Sequence, residues 1–439
     1  MFNVKAPYIM VKVLRFVFSY IPNWYKCGKE YRKQFEFLLE SENWSAENIK
    51  EYQLTKMKNI VKHCYDYVPY YRKYFNENKI NPNIKSIEDF KNIPMITKEI
   101  IRKEDVNLIS NKYKSKEIIK ATTGGTTGIP LNLYSCKVAN KKVRAFVDFY
   151  WSKIGFKVKG INRIAIIRGE KPRRGISERI GSKLILSSYM LKENNILQYV
   201  KQLEKFNPDY IHCFPSAISI IANYINENKV DANFKSLKGI LTSSETLYSY
   251  QKAYLKKAFN VPIYDYYGQS EKASIAISLG DGDNYYFDQR FAFNEQKNGL
   301  IISTGFMNDL MPLLRYNTED ICSTSDNYED LINASKIEGR TQDYLIGRND
   351  EKISLSATNF HDNTFSGISE FQYEQNEKGK VELKIVLREM NKDLDKLRIN
   401  VTNLLGNVTE VKIVVVNKVQ ITNRGKKKLL VQNLKIEKM

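Results

Sequence analysis

From residue 160 to 268 strand-like runs alternate with helix-like ones. "RIAIIRG" is followed by "LILSSY", by the helical period of "ENNILQYVKQLEKF", by "YIHCFP" and by "AISIIANYINE"; then come "LKGILTSS", "YSYQKAYLKKAF" and "VPIYDYYG". Strands separated by helices are joined by crossovers, so they pair in parallel and need cover on both faces. The expected fold is therefore α/β, with parallel βαβ layers and a ligand crevice at the carboxyl ends of the strands.

The flanks are of a different kind. From Glu30 to about Lys120 the text reads helical, as in "KEYRKQFEFLLESENW" and "IKEYQLTKMKNIVKHCYDYV", where apolar residues recur at three and four residues. "SIEDFKNIP" at 86–94 opens with a serine followed three residues later by an acid, the signature of a capped short helix. After the alternating segment come hairpin-like strands, "YYFDQRFAFN" and "GLIISTGF". From about 341 onward "GKVELKIVLRE", the helical "KDLDKLRINVTNLLG" and "TEVKIVVVN" read as a small separate α+β unit, with "EGRTQDYLIGRND" at 338–350 as the hinge. A chain of 439 residues exceeds what one hydrophobic core serves. The expected division is a large N-terminal domain over 1–340, with a helical segment over 1–120, and a small mobile C-terminal domain over 341–439.

The net charge of +20 comes from lysines spread along the whole chain, and the short dense basic cluster is "GKKK" at 425–428. A nucleic-acid protein concentrates its basic residues on one element with aromatics between them, so no nucleic-acid partner is expected. Cys27, Cys64, Cys136, Cys213 and Cys322 show no metal-ligand spacing and no disulfide framework, which points to a reduced, cytoplasmic protein. The three histidines, His63, His212 and His361, are too few for a scheme resting on several imidazoles. The apolar stretch "YIMVKVLRFVFSYI" at 8–21 is interrupted by Lys12 and Arg15 and is too short to span a bilayer. Two readings of it stand: a helix packed on the domain, or a basic interfacial helix in peripheral contact with the inner membrane face.

"ATTGGTTGIP" at 121–130 concentrates glycine and threonine. Glycines let backbone N–H groups approach an anion, and threonine hydroxyls add donors, so the loop is a phosphate candidate. It is neither a P-loop nor GxGxxG. "YDYYGQSE" at 264–271 sets aromatics before a glycine and a carboxylate three residues after it, at a strand end. An aromatic face stacks on a base, and a carboxylate holds magnesium beside phosphates. "YNTED" at 316–320 ends on two acids suited to ribose hydroxyls, and "GRTQD" at 339–343 carries an arginine in the hinge.

The order of these motifs resembles the adenylate-forming superfamily, and most closely the phenylacetate-CoA ligase-like proteins with their CapK-like branch associated with surface polysaccharide genes. The resemblance runs from "YDYVPYYRKYF" at 65–75 and "IEDFKNIPMITKEIIRK" at 87–103 through "TTGGTTGIP", "FPSAISIIANYI" and "ILTSSETL" to "ITNRGKKKLL" at 421–430. It implies an ATP- and Mg²⁺-dependent ligase that activates a carboxylic acid as its adenylate and passes it to an acceptor. Coenzyme A is the family's usual acceptor; a sugar amine, an amino acid or a carrier protein suits the CapK-like branch.

Residue by residue, the resemblance makes Thr123, Gly124, Gly125, Thr126, Thr127 and Gly128 the loop over the ATP pyrophosphate. Ser244 and Glu245 flank the adenine, Tyr267 stacks on it, and Gly268 lines the acyl pocket. Ser270 stands for the usual threonine near the α-phosphate, and Glu271 for the magnesium carboxylate. Asp320 matches the acid on the ribose diol, Arg340 the arginine near ribose and hinge, and Lys426 the late lysine that stabilises charge during adenylation, with Lys427 and Lys428 leaving its register open. Ile129 and Gln342 depart from the family pattern, which leaves a second reading, a nucleotide-binding homologue without turnover.

Overall fold

The alternating segment folds as a mostly parallel sheet. Ile164–Arg168 pairs in parallel with Lys183–Ser187 on one side and with Tyr210–Cys213 on the other, and Tyr210–Cys213 pairs in parallel with Gly239–Ser243. Ile263–Gly268 follows Gly239–Ser243 in strand order, and Ser177–Ile180 closes the far edge as an antiparallel strand. Ala165, Ile166 and Ile167 are all buried, as are Leu184, Ile185 and Leu186. Such unbroken apolar runs are what a strand covered on both faces requires. The helix Pro215–Glu227 buries Ile218, Ile221 and Ile225 in the same core, each worth about 1.5–3 kcal/mol. Helices Ile196–Phe206 and Ser249–Phe259 both stop on an asparagine in the left-handed conformation, Asn207 (φ 47°) and Asn260 (φ 49°).

The computed structural model of the chain describes residues 8–122, 131–170, 172, 175–191, 193–280, 284–323, 330–340, 344–349, 351–354, 367–388, 394–406, 408–421 and 428–434. The chain forms two units, one from 1–162 with 266–337 and the other from 163–265 with 338–439.

In the second unit the C-terminal residues build a small α+β module. Ile368–Glu377 and Lys380–Leu387 pair antiparallel, Glu410–Val415 and Leu430–Gln432 add in parallel on either side, and the helix Asp395–Leu405 supplies Leu397 and Val401 to a core shared with Tyr373, Leu383 and Ile385. The strand Ile368–Glu377 is missing from the sequence reading. Gln372 and Gln375, three residues apart and therefore on opposite faces, are both fully buried, so the alternation that betrays a strand is masked by polar residues. Their carboxamides act as extra peptide groups: Gln375 Nε2 donates to the Ile346 carbonyl at 2.8 Å while Ile346 N–H donates to Gln375 Oε1 at 2.8 Å.

The first unit gathers the N-terminal helices, among them Lys29–Glu40, Ala46–Tyr67 and Lys137–Ser152, with an antiparallel sheet that includes Ala292–Lys297, Leu300–Gly305 and Tyr316–Ser323. "YYFDQRFAFN" proves to be two strands in two sheets, Tyr285–Phe287 and Ala292–Lys297. The break is chemical: Arg290 donates from its backbone N–H to Asp288 Oδ1 and from Nη2 to Asp288 Oδ2, each at 2.8 Å, and this buried clasp turns the chain.

The short helix Ile87–Lys91 carries the expected capping box, in which Ser86 Oγ accepts from Asp89 N–H at 3.1 Å and Asp89 Oδ2 accepts from Ser86 N–H at 3.1 Å. The helix seats the fully buried Phe90 edge-on against Phe293, with centroids 5.7 Å apart. Ser86→Ala is expected to cost about 1 kcal/mol in chemical denaturation. A variant as stable as the parent would show that the cap adds nothing to the seat of Phe90.

Candidate active site

Two segments far apart in sequence meet in the first unit. Tyr267 sits near the end of Ile263–Gly268, with its ring edge-on to Phe287 at 6.0 Å. Its hydroxyl donates to Asp320 Oδ2 at 2.7 Å. Burial first, and the Asp320 carboxylate second, push the Tyr267 phenol well above its usual range, so it remains a donor. Gln269 Nε2 donates to the same Tyr267 oxygen and to Asp320 Oδ2 at 3.3 Å. Gln269 lies inside a quoted motif without a role in the sequence reading; its spacing of two from Tyr267 is the signal that both reach the same acid.

Asp320 belongs to the interior of Tyr316–Ser323. The register against Leu300–Gly305 shifts between Leu300 and Ile302, and Glu319 takes a positive φ of 61°. Such an irregularity bends a strand and re-aims its side chains. Asp320 and Glu319 are thereby separated in function: Glu319 Oε2 receives Lys98 Nζ at 2.9 Å, whereas Asp320 turns to Tyr267. On the same strand Tyr316 donates from its hydroxyl to Glu271 Oε1 at 3.0 Å. Glu271 is buried, and Ser270 beside it is exposed. Gly268 is packed closely, since a Cβ there would lie 2.5 Å from the Tyr266 hydroxyl.

The Gly/Thr segment, Thr123 to Gly128, lies outside the described residues together with Ile129. Its flanks are described: Ile119–Thr122 and Asn132–Ser135 pair antiparallel, with Thr122 opposite Asn132. Asp105 holds the second of these strands, accepting from Asn132 Nδ2 at 3.1 Å and from the Tyr134 hydroxyl at 2.9 Å. The glycine-rich segment is thus bracketed by a short ribbon tied to a helix end.

In the second unit Ser244 carries a positive φ of 73° just after the strand Gly239–Ser243, and its Oγ accepts from Arg168 Nη2 at 2.8 Å. Glu245 Oε2 accepts from Ser216 N–H at 3.0 Å, in the first turn of Pro215–Glu227, where the helix dipole favours an anion. His212 is half-buried and meets Arg168 Nη1 at 3.2 Å. Arg168 is therefore a strand-end residue engaged with its neighbours. Arg340 ends the strand Lys336–Arg340. Lys426, Lys427 and Gln342 lie outside the described residues. Both borders of the segment that holds Lys426 are held by one buried side chain: Gln372 Nε2 donates to the carbonyls of Gln420 and Lys428 at 3.1 and 2.9 Å, and Gln372 Oε1 accepts from Gln420 N–H at 3.0 Å. No feature of the polar strand sequence marks Gln372 for this task.

No protein-family model matches the chain. Among curated proteins it is 28% identical over 389 residues to protein CapK of Staphylococcus aureus, covering 83% of this chain and 85% of that one. It is 24% identical to a phenylacetate-coenzyme A ligase of Aromatoleum evansii, over 70% of this chain and 74% of that one. Over most of its length the chain is thus similar to the phenylacetate-CoA ligase-like proteins of the adenylate-forming superfamily. The fold agrees across nearly its whole length. A crystal structure of 2-hydroxyisobutyryl-CoA ligase in the postadenylation state superposes with a TM-score of 0.67 at 17% identity, over 88% of this chain and 90% of that one. The α/β fold class with a separate C-terminal α+β module, expected from the alternation and from the motifs, is the observed one.

Proposed function

We propose that this protein is an AMP-forming ligase: a carboxylic acid attacks the α-phosphorus of ATP through a carboxylate oxygen, pyrophosphate departs, and the acyl-adenylate passes its acyl group to an acceptor with release of AMP. The observation that carries this reading is the Tyr267–Asp320 hydrogen bond of 2.7 Å, which sets an aromatic ring and a buried carboxylate side by side in the first unit. An adenosine needs that pair, a face for the base and an acid for the ribose diol. Positioning and charge neutralisation account for such a reaction without a nucleophilic side chain.

In this proposal Tyr267 stacks on adenine, with Ser244 and Glu245 alongside, and Asp320 takes the ribose hydroxyls with Arg340 near them. Thr123, Gly124, Gly125, Thr126, Thr127 and Gly128 hold the β- and γ-phosphates, Ser270 meets the α-phosphate, and Gly268 lines the acyl pocket. Lys426 neutralises charge that develops on the carboxylate and α-phosphate oxygens. Magnesium prefers oxygen ligands and binds through one or two carboxylates together with substrate phosphates. Glu271 fits that requirement as a buried carboxylate steadied through Oε1 by Tyr316. When bound, the ion neutralises phosphate charge. The proposed division into 1–340 and 341–439, turning at 338–350, lets the module that carries Lys426 withdraw after adenylation.

The acceptor we propose is coenzyme A or, in a CapK-like setting, an amine, sugar or carrier in capsular polysaccharide biosynthesis on the cytoplasmic side. The deciding experiment is acid-dependent exchange of labelled pyrophosphate into ATP with Mg²⁺, over aryl, fatty, hydroxy and amino acids. One or a few acids are expected to support exchange. Silence across the panel with ATP binding intact would favour a nucleotide-binding homologue without turnover, and absence of ATP binding would overturn the proposal.

A further inference from the structure

The helix Tyr8–Tyr20 presents its apolar stripe to solvent. Val13, Phe16, Val17 and Tyr20 recur at the spacing that a helix uses to face a core, yet they are 54%, 52%, 49% and 36% exposed. Phe16 and Tyr20 stack edge-on along this stripe at 5.2 Å. Tyr25, 59% exposed, extends the apolar surface into the following turn.

The segment that carries the stripe has charges of one sign. From Met1 to Lys29 the sequence contains no Asp or Glu. Arg15, Lys26 and Lys29 are exposed, and the exposed Lys159 sits over the ring of Trp24 at 4.4 Å. Among the described residues no helix is long and apolar enough to cross a membrane. At about 1.5 Å per residue, this one covers roughly two thirds of a hydrocarbon core. An apolar stripe with Arg15 on the opposite face of the helix and Lys26 and Lys29 beyond its end, next to a tryptophan and a tyrosine, fits the boundary between lipid headgroups and acyl chains.

We propose that Tyr8–Tyr20 lies in the plane of an anionic lipid surface, with Val13, Phe16, Val17 and Tyr20 inserted among the acyl chains and Arg15, Lys26 and Lys29 on the headgroups. The ligase would thereby work at a membrane face. This inference stands apart from the adenylation chemistry, because binding to lipid and pyrophosphate exchange are read separately.

The test is co-sedimentation of the full chain with vesicles of phosphatidylcholine alone or with about a quarter phosphatidylglycerol. Partition onto the anionic vesicles is expected to be at least about tenfold stronger, and to weaken as salt shortens the Debye length. Val17→Asp and Arg15→Glu, both at exposed positions, are each expected to weaken it by about tenfold while melting temperature and pyrophosphate exchange stay unchanged. Equal partition onto neutral and anionic vesicles, or no partition, would overturn the proposal. So would a lipid-free dimer that Val17→Asp dissociates, since the stripe would then belong to a second copy of the chain. Should Val17→Asp fail to fold, Arg15→Glu and the salt dependence of the parent decide.

Discussion

Asp320→Ala is expected to weaken ATP binding by about 10²-fold or more. A carboxylate on the ribose diol accepts two hydroxyl hydrogen bonds, and bonds to a charged group contribute roughly 1.5–3 kcal/mol each. Losing both costs about 3–6 kcal/mol, which is about 10²–10⁴ in a dissociation constant. Asp320 also accepts from the Tyr267 hydroxyl at 2.7 Å, so the alanine variant strips the aromatic of its orienting partner as well. Asp320→Asn separates the two effects. It keeps an acceptor for Tyr267 and loses only the charge, so affinity is expected to recover in part. Calorimetry with ATP in the absence of acid reads the result directly. Unchanged affinity in Asp320→Ala would remove the ribose role, and with it the observation on which the functional reading rests.

Lys426→Ala is expected to leave ATP affinity within a few-fold of the parent and to lower acid-dependent exchange by about 10²–10³-fold, the usual cost of deleting one preorganised donor at a site of developing charge. The contrast with Asp320 is the diagnostic part: one residue acts on ground-state binding and the other on the chemical step. Lys427→Ala and Lys428→Ala serve as register controls. Lys428 offers its main-chain carbonyl to Gln372 at 2.9 Å, an interaction that the alanine substitution retains. If exchange survives in Lys426→Ala but falls in Lys427→Ala, the late lysine sits one position further on. If it survives in all three, charge neutralisation by this cluster is excluded.

Much of the fold can be read from local chemistry. The run from "RIAIIRG" to "VPIYDYYG" announces its strands and helices because each needs only its own apolar period, and "SIEDF" announces its cap because donor and acceptor lie three residues apart. The strand Ile368–Glu377 escapes the same reading, because buried glutamines, one on each face, break the apolar alternation that would mark it. "YYFDQRFAFN" is misread as one strand for a related reason. The Asp288–Arg290 clasp that breaks it acts through buried charge, which periodicity does not report.

The sequence by itself determined the α/β class, the small α+β module and the motifs from which roles were assigned, since these depend on residue type and short spacing. Only the tertiary structure decided that Tyr267 and Asp320, 53 residues apart, share a hydrogen bond. It also decided that Glu319 is drawn off to Lys98, that Gln372 holds both borders of the Lys426 segment, and that the stripe of Tyr8–Tyr20 faces water rather than a core. Each of these turns on strand register, a local bend or the presence of a packing partner. Those are set by contacts between distant segments, and an apolar stripe has the same sequence whether protein, lipid or water lies opposite it.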